Sequence, residues 1–141
     1  MLKVLNDIRL IELTHKYSNN LGGNLTAIQF DFNLPLDVKR IFFINAGKNI
    51  IRGNHAHKEC SQFLVCNLGA IEVECFDGSE TKIFLLDRPN LGLLIPPSIW
   101  AKQHYLLSHN ILSVACDQFF DENDYIRNID DYIIYRKNCI G

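Results

Sequence analysis

The chain has 141 residues and a net charge of −2, with 48% hydrophobic and 21% charged residues. This length and apolar share predict one folded domain, residues 1–141, with a buried core, and they exclude a disordered chain. No basic stripe is present, so nucleic acid is not an expected partner. The longest apolar runs, such as 91–97, are too short to span a bilayer, and the N-terminus lacks a signal sequence. We therefore expect a cytoplasmic protein.

Short apolar segments that alternate with turn residues predict an all-β fold. Turn signals recur about every 8–12 residues, which is typical of a sandwich or barrel. Asp77-Gly78 predicts a hairpin, and Pro96-Pro97 ends a strand. The N-terminal strand either closes its own barrel or adds to the sheet of a neighbour. The predicted strands are 8–13, 25–32, 39–45, 62–67, 70–76, 81–86, 91–95, 99–107 and 110–117.

The last 25 or so residues have a different pattern. The acidic residues of 121–124 stand where a helix N-terminus favours negative charge. Tyr125, Ile129, Tyr132 and Arg136 then follow at helical spacing. This pattern predicts one or two short helices packed on the outside of the barrel, and it favours a helix-start role for the acidic residues over paired catalytic carboxylates.

The segment 52–57, Arg-Gly-Asn-His-Ala-His, is the most informative part of the chain. Because side chains alternate along a strand, His55 and His57 point to the same side. Imidazoles titrate near neutral pH and suit proton transfer, so two on one face favour a functional site over a structural pair. Arg52 fits either the binding of a phosphate or carboxylate or a surface ion pair. Trp100, the single tryptophan, fits either stacking on a ligand ring or filling the core.

Five cysteines are present, and none of them forms a C-x-x-C motif. An odd number of cysteines, mostly inside apolar segments, favours buried free thiols in a reducing compartment. Cys60 follows the histidine pair closely, so a Cys/His nucleophilic site is the less favoured alternative.

The H-x-H pattern followed by Gln62 and Gly69 resembles the first motif of the cupin superfamily. Metal-binding cupins have Glu at the position of Gln62 and a third histidine at the position of Ala101. An amide oxygen is a poor ligand for a transition metal beside imidazoles, and a methyl group is none. His104, three residues later, is predicted on the opposite face of its strand. We therefore expect no metal.

Four motifs narrow this resemblance, and they appear in order over nearly the whole chain. They read R-G-x-H-A-H-K, Q-x-L-V-C-x-x-G, G-L-x-x-P-P-x-x-W and D-E-x-D-Y-I-R, at 52–58, 62–69, 92–100 and 121–127. Together they resemble the dTDP-4-keto-6-deoxyglucose 3,4-ketoisomerases. The resemblance implies a cupin jelly-roll barrel, a homodimer, and a dTDP-linked 4-keto-6-deoxy sugar as the ligand.

The same resemblance implies a reaction that needs no metal and no cofactor. The keto group moves from C4 to C3, and the product passes to an aminotransferase for 3-amino-3,6-dideoxy sugars. His57 is the expected base at C3, and His55 is expected to move or steady the second proton. The residues expected to bind substrate are Arg52, Asn54, Gln62, Trp100 and His104.

Three departures from the family pattern keep an alternative open. The family's K-R-x-Y-Y stands here with Phe42 and Phe43 in place of the tyrosines, and Ala101 replaces a histidine after the tryptophan. The stretch 21–25 also lacks the arginine of an R-G-x-L turn. The alternative is a catalytically silent cupin that binds a nucleotide sugar. The retained histidine pair and Arg52 favour the enzyme.

Overall fold

The computed structural model describes residues 2–17 and 22–140, except for the side chains of 15–17 and 140. Position 21, at the start of the stretch that lacks the family arginine, lies outside the described residues. Two 3-10 helices span Leu5–Asp7 and Glu122–Asp124, and α1 spans Ile129–Ile140. The strands of the described residues are β1 (Arg9–Glu12), β2 (Thr14–Tyr17), β3 (Asn24–Ala27), β4 (Arg40–Ala46), β5 (Ile51–His57), β6 (Gln62–Leu68), β7 (Ile71–Phe76), β8 (Thr81–Leu86), β9 (Leu91–Ile95), β10 (Trp100–Tyr105), β11 (Asn110–Cys116) and β12 (Tyr125–Ile126).

Two five-stranded sheets face each other, and every pair of neighbouring strands is antiparallel. One sheet has the order β1-β9-β6-β11-β4 and the other β12-β5-β10-β7-β8, while β2 and β3 pair separately. The predicted all-β jelly-roll barrel with a short C-terminal helix is confirmed. The N-terminal strand β1 pairs with β9 at the edge of its own sheet. No helix in the described part of the chain has the length and apolarity needed to cross a bilayer.

The main core lies between the two sheets, and alternation along the strands fills it. On β7, for example, Ile71, Val73 and Cys75 are fully buried, while the residues between them are only half-buried. The β7–β8 pair also confirms the hairpin predicted at Asp77-Gly78, since the Asp77 carboxylate accepts hydrogen bonds from the backbone N–H groups of Ser79 and Glu80. The barrel thus provides a rigid frame whose interior strands carry the site.

The C-terminal segment differs from the helical pattern that the sequence predicts. Tyr125 and Ile126 form β12 beside β5, and the α-helix begins only after Asn128. The Asn128 side chain accepts hydrogen bonds from the N–H groups of Asp130 and Asp131, which fixes that start. The predicted strand 25–32 is also shorter, because β3 ends at Ala27. The prediction of a helix at Tyr125 is wrong, because the open edge of β5 supplies tertiary hydrogen bonds that local sequence does not encode.

A β-bulge interrupts β5 just before the histidine pair. In the register with β10, His55 faces Ala101, but Gly53 faces Lys102 and Arg52 faces Gln103, so Asn54 is the extra residue. Gly53 and Asn54 both have positive φ, +84° and +57°. The extra residue shifts the alternation of side chains, so Arg52 lies on the same face as His55 and His57 although it is three residues from His55.

Replacing Gly53 by alanine tests how far this bulge depends on glycine. We expect the free energy of unfolding to fall by about 1–3 kcal/mol, because a side chain is strained at this backbone conformation. The added Cβ would also lie only 3.1 Å from the carbonyl oxygen of Ala101. Gly47→Ala is the control, since its Cβ would be 3.7 Å from the Ser108 oxygen. Chemical denaturation measures both, and equal losses would contradict the special role of Gly53.

Candidate active site

The histidine pair lies in the wall of a small cavity inside the barrel. The rings of His55 and His57 are 5.0 Å apart between centroids and nearly perpendicular, at 88°. His57 is 6% exposed, and its Nε2 has no hydrogen-bond partner among the residues that the structure describes. The cavity holds about 10 Å³, room for about one water molecule. Its lining residues are His55, His57, Cys60, Gln62, Leu64, Ile95, Pro96, Ile99, Ala101 and Gln103.

Asp124 contacts the other nitrogen of the His57 ring. Its Oδ2 lies 2.9 Å from His57 Nδ1, and its Oδ1 accepts a hydrogen bond from the Glu59 N–H at 2.6 Å. The sequence assigned a helix-start role to this acidic run. Asp121 has that role, since its carboxylate accepts from the Asn123 N–H. Asp124 instead orients the His57 ring, and its position in the D-E-x-D-Y-I-R motif was the signal that could have identified it.

Tyr125 covers the histidine pair because β12 places it directly opposite His57. Its ring centroid is 5.0 Å from that of His55 and 4.3 Å from that of His57. The Arg127 guanidinium lies 4.2 Å from the Tyr125 centroid, and Glu122 binds that guanidinium with two hydrogen bonds of 2.6 and 2.9 Å. The two histidines are therefore enclosed by an aromatic ring and a fixed ion pair.

Burial keeps both histidines neutral at physiological pH. Desolvation, followed by the charge of His57, lowers the pKa of His55 to about 4. Desolvation also lowers the pKa of His57, although the hydrogen bond and negative charge of Asp124 oppose it. A neutral imidazole can accept a proton, and a carboxylate behind it stabilises the imidazolium that results. The pairing of neutral His57 with Asp124 is an arrangement suited to accepting a proton.

Arg40 connects the first sheet to this site. Its guanidinium lies 5.5 Å from the ring centroids of both Phe42 and Phe120, and its Nη2 lies 3.6 Å from the Cys116 sulfur. Of the two phenylalanines that replace the family tyrosines, Phe42 packs against the main core and Phe43 is 66% exposed on the outer face. The phenol next to the histidines therefore comes from Tyr125.

Two thiols lie beside the histidines. The Cys60 thiol donates to the Ser61 carbonyl at 3.3 Å, and the side-chain nitrogens of Arg40 and Gln62 lie 3.6 Å from the Cys116 sulfur. The neighbouring Cys60, with Gln62 and Arg40, lowers the pKa of Cys116, whereas Cys116 and burial raise the pKa of Cys60. A protonated thiol is a weak nucleophile, so this pattern disfavours a Cys/His nucleophilic site at Cys60. Cys139 is an exception to the buried thiols that the sequence predicts, because it is exposed.

The residues predicted to bind substrate are divided between the two faces of the barrel wall. Gln62 lines the cavity, while Arg52 and Asn54 are exposed at the bulge. Trp100 and His104 do not line the cavity, because alternation on β10 turns Ala101 and Gln103 inward. The Trp100 ring instead packs 5.6 Å from that of Tyr132 under α1.

Gln103 is an inward-facing residue that sequence reasoning missed. Its Oε1 accepts a hydrogen bond of 2.9 Å from the hydroxyl of the buried Tyr105. It also stands opposite Arg52 in the sheet, so its amide lies on the face that carries the histidines. The sequence signal that could have identified it was the alternation of side chains along β10, because Gln103 is two residues from the position of the cupin ligand, Ala101.

The four positions that hold metal in cupins, His55, His57, Gln62 and Ala101, all line the same cavity. The fold therefore preserves the geometry of that ligand set, but an amide and a methyl group stand at two of its positions. These residues do not fit a transition metal in the cupin arrangement.

Comparisons with known proteins agree with this geometry. The family described as "FdtA: WxcM-like, C-terminal" matches residues 6–137. The TDP-4-oxo-6-deoxy-alpha-D-glucose-3,4-oxoisomerase of Aneurinibacillus thermoaerophilus is 37% identical over 114 residues, which cover 80% of this chain and 82% of that protein.

Solved structures give the same result. The sugar 3,4-ketoisomerase QdtA from Thermoanaerobacterium thermosaccharolyticum, in complex with TDP, superposes with a TM-score of 0.88 at 33% identity and covers 98% of this chain and 100% of its own. A 3,4-ketoisomerase from Helicobacter canadensis superposes with a TM-score of 0.86 at 32% identity, covering 93% of this chain and 98% of its own. The chain therefore belongs to the WxcM-like family of TDP-sugar 3,4-ketoisomerases.

Proposed function

We propose that this chain moves the keto group of a dTDP-linked 4-keto-6-deoxy-hexose from C4 to C3 by histidine acid–base catalysis. The observation that carries the proposal is the His57–Asp124 pair, in which His57 lines a small cavity together with His55 while Tyr125 packs against both imidazole rings. The match to TDP-sugar 3,4-ketoisomerases supports the substrate class.

The reaction needs one proton transfer from C3, one proton transfer to C4, and the net movement of a proton from the C3 oxygen to the C4 oxygen. Neutral His57 takes the proton from C3, which is acidic because C3 adjoins the C4 carbonyl, and Asp124 stabilises the imidazolium. The C4 oxygen gains a proton as the enediol forms. A proton then adds to C4 while the C3 hydroxyl loses its own, which leaves a ketone at C3. His55 carries or steadies the second proton, and each such group contributes roughly 10²–10⁴-fold to the rate.

Substrate binding is proposed for the polar groups on the histidine face. Arg52 places a planar guanidinium at the exposed end of this face, where it suits the diphosphate of a nucleotide sugar. The amides of Gln62 and Gln103 face inward and can hydrogen-bond sugar hydroxyls. Asn54 lies exposed at the bulge between these groups. No bound metal or cofactor takes part in these steps.

The product class suggests the place of this reaction in metabolism. A ketone at C3 is the group that an aminotransferase converts to an amine, so we propose a role in the synthesis of 3-amino-3,6-dideoxy sugars. We also propose a cytoplasmic location, which the free cysteines support because four of the five are buried as thiols.

A catalytically silent nucleotide-sugar binding protein is the second candidate. Phe42 and Ala101 favour it, because they remove a phenol and an imidazole that the family pattern places near the sugar. The phenol ring of Tyr125, whose centroid lies 5.0 and 4.3 Å from those of His55 and His57, favours the enzyme.

Deuterium exchange separates the two candidates. With dTDP-4-keto-6-deoxyglucose in deuterated water, we expect NMR to show deuterium entering next to the ketone and a 3-keto product appearing. His57→Asn is expected to slow this exchange by roughly 10²–10⁴-fold, since the base at C3 is lost. His109→Asn is the control, because that histidine is exposed in the turn between β10 and β11.

Each other result has a definite meaning. Tight binding of the sugar nucleotide without exchange in the unmodified protein supports the silent cupin. Exchange that survives in His57→Asn but vanishes in His55→Asn contradicts the assignment of His57 and makes His55 the base.

Asp124→Asn tests the positioning of His57. Removing the carboxylate charge takes away the main influence that opposes desolvation, so we expect the pKa of His57 to fall further below its ordinary value. The acidic limb of the rate profile should move to lower pH together with it, and kcat should fall more than KM rises. NMR titration of the His57 ring gives the pKa. Asp121→Asn is the control, and an unchanged His57 pKa in Asp124→Asn would refute the role.

The homodimer remains a proposal, and the outer face of the first sheet supports it. Ile41 and Phe43 are 56% and 66% exposed there, and Phe30 lies beside them at the rim of a groove of about 320 Å³. Monomeric proteins rarely expose a contiguous apolar patch of this kind without a partner. A two-fold axis would place this face against its copy.

Phe43→Glu tests the dimer. A charge at the centre of an apolar interface is costly to bury, so we expect this variant to sediment as a monomer while the unmodified protein sediments as a dimer. Phe119→Glu is the matched control, since Phe119 is 73% exposed and does not line this groove. A dimer that persists in Phe43→Glu would exclude this face as the interface.

A further inference from the structure

Three metal-ligating side chains meet beside the catalytic histidine. A ring nitrogen of His57, the Cys60 sulfur and an Asp124 carboxylate oxygen all lie within 4.8 Å of one another. We propose that these residues form an inhibitory site for a thiophilic divalent cation of the Zn²⁺ class. The inhibitory part of this inference rests on the proposed function, whereas the binding part does not.

The donor set selects the class of cation. One imidazole nitrogen, one sulfur and one carboxylate oxygen are the ligands that Zn²⁺ uses, whereas Mg²⁺ and Ca²⁺ prefer oxygen alone. This set shares only His57 with the cupin arrangement, and its other two donors, Cys60 and Asp124, do not belong to that arrangement. The loss of the cupin ligands therefore does not affect it.

The site has room for a fourth ligand. Zinc sites that bind exogenous groups have three protein ligands and one open position. Here His57 and Cys60 both line the cavity of about 10 Å³, which accepts about one water molecule. The cavity beside the Cys60 sulfur therefore has space for one water molecule at the open position.

The local charge favours a cation. Asp124 supplies a carboxylate as one of the three ligands, and its negative charge attracts a divalent ion. On binding, the cation displaces the thiol proton of Cys60 to solvent.

Occupancy would stop the proposed reaction directly. The cation would replace the 2.9 Å contact between His57 Nδ1 and Asp124 Oδ2 with two metal bonds. The imidazole would then lose the carboxylate that stabilises its protonated form. A coordinated imidazole and a neutralised carboxylate no longer act as a base pair at C3.

Cobalt substitution tests the site without relying on activity. The full-length protein is treated with chelator, freed of it, and titrated with Co²⁺. We expect a thiolate-to-cobalt charge-transfer band that saturates at one equivalent and disappears on addition of Zn²⁺. Cys60→Ser should abolish the band. Cys66→Ser is the matched control, because Cys66 is also buried and its thiol also donates to a backbone carbonyl at 3.3 Å.

The inhibition is measured in parallel with Zn²⁺ and the sugar nucleotide. Cys60→Ser should raise the Zn²⁺ concentration for half-inhibition by more than about 100-fold, because loss of a residue that merely supports a ligand already costs about 10–100-fold. Asp124→Asn, which keeps the thiol, should also weaken Co²⁺ binding and serves if Cys60→Ser does not fold. A band that persists in Cys60→Ser, or no band in the unmodified protein, would overturn the site.

Failure of the two proposals can be told apart. A Co²⁺ band in a protein without isomerase activity keeps the metal site and rejects the proposed function. Full activity with Zn²⁺ bound keeps the function and rejects inhibition through His57.

Discussion

The contact between Asp124 and His57 is the interaction on which the rest of the site depends. It joins the C-terminal segment to the strand that carries both histidines, across 67 positions of sequence. The same segment places Tyr125 over the two imidazoles and Ile126 in the cluster under α1. Without this segment the histidines would be open to water along the edge of β5, and their burial and orientation would be lost together.

The anchoring of α1 extends this constraint through the second sheet. The Tyr132 hydroxyl donates to the Ser98 carbonyl at 2.7 Å, and Arg136 Nη1 donates to the same oxygen at 3.0 Å. The Ser98 N–H in turn donates to the His57 carbonyl at 2.7 Å. The helix α1 on the outside of the barrel is therefore linked by hydrogen bonds to the backbone of the strand that carries both histidines. Buried hydrogen bonds of this kind are costly to break, so they hold the strand in place.

The chemical environment of the cavity follows from burial rather than from any unusual residue. Two imidazoles in a space that holds about one water molecule lose solvation, and their pKa values fall. Asp124 offsets that loss for one ring only, which makes the two histidines electrostatically different although they are two residues apart. Such a difference is what a reaction with one carbon base and one proton carrier requires. The nitrogen, sulfur and oxygen donors that lie close together there are also the basis of the proposed binding of a thiophilic cation.

Local sequence determined much of the fold. Alternation and turn residues predicted seven strands of the two sheets, namely β4 and β6 to β11. The H-x-H spacing predicted two imidazoles on one face of β5, because backbone geometry fixes the side-chain period of a strand. Family motifs determined the activity class. Tyr125, by contrast, stands in a strand despite its helical spacing, because pairing with β5 outweighs local preference.

Two features of the site were decided only by the tertiary structure. One depends on a break in the side-chain alternation of β5, and the other depends on contacts between residues that are distant in sequence. The bulge at Asn54 brings Arg52 to the histidine face, and a regular period of two would have placed it on the other side. Asp124 and Cys60 meet at His57 through two separate loops. Neither contact has a local signature, since the energy that holds each comes from the packed barrel as a whole. The sequence by itself determined which chemical groups are available and which strand carries them, and the folded barrel decided which of them touch.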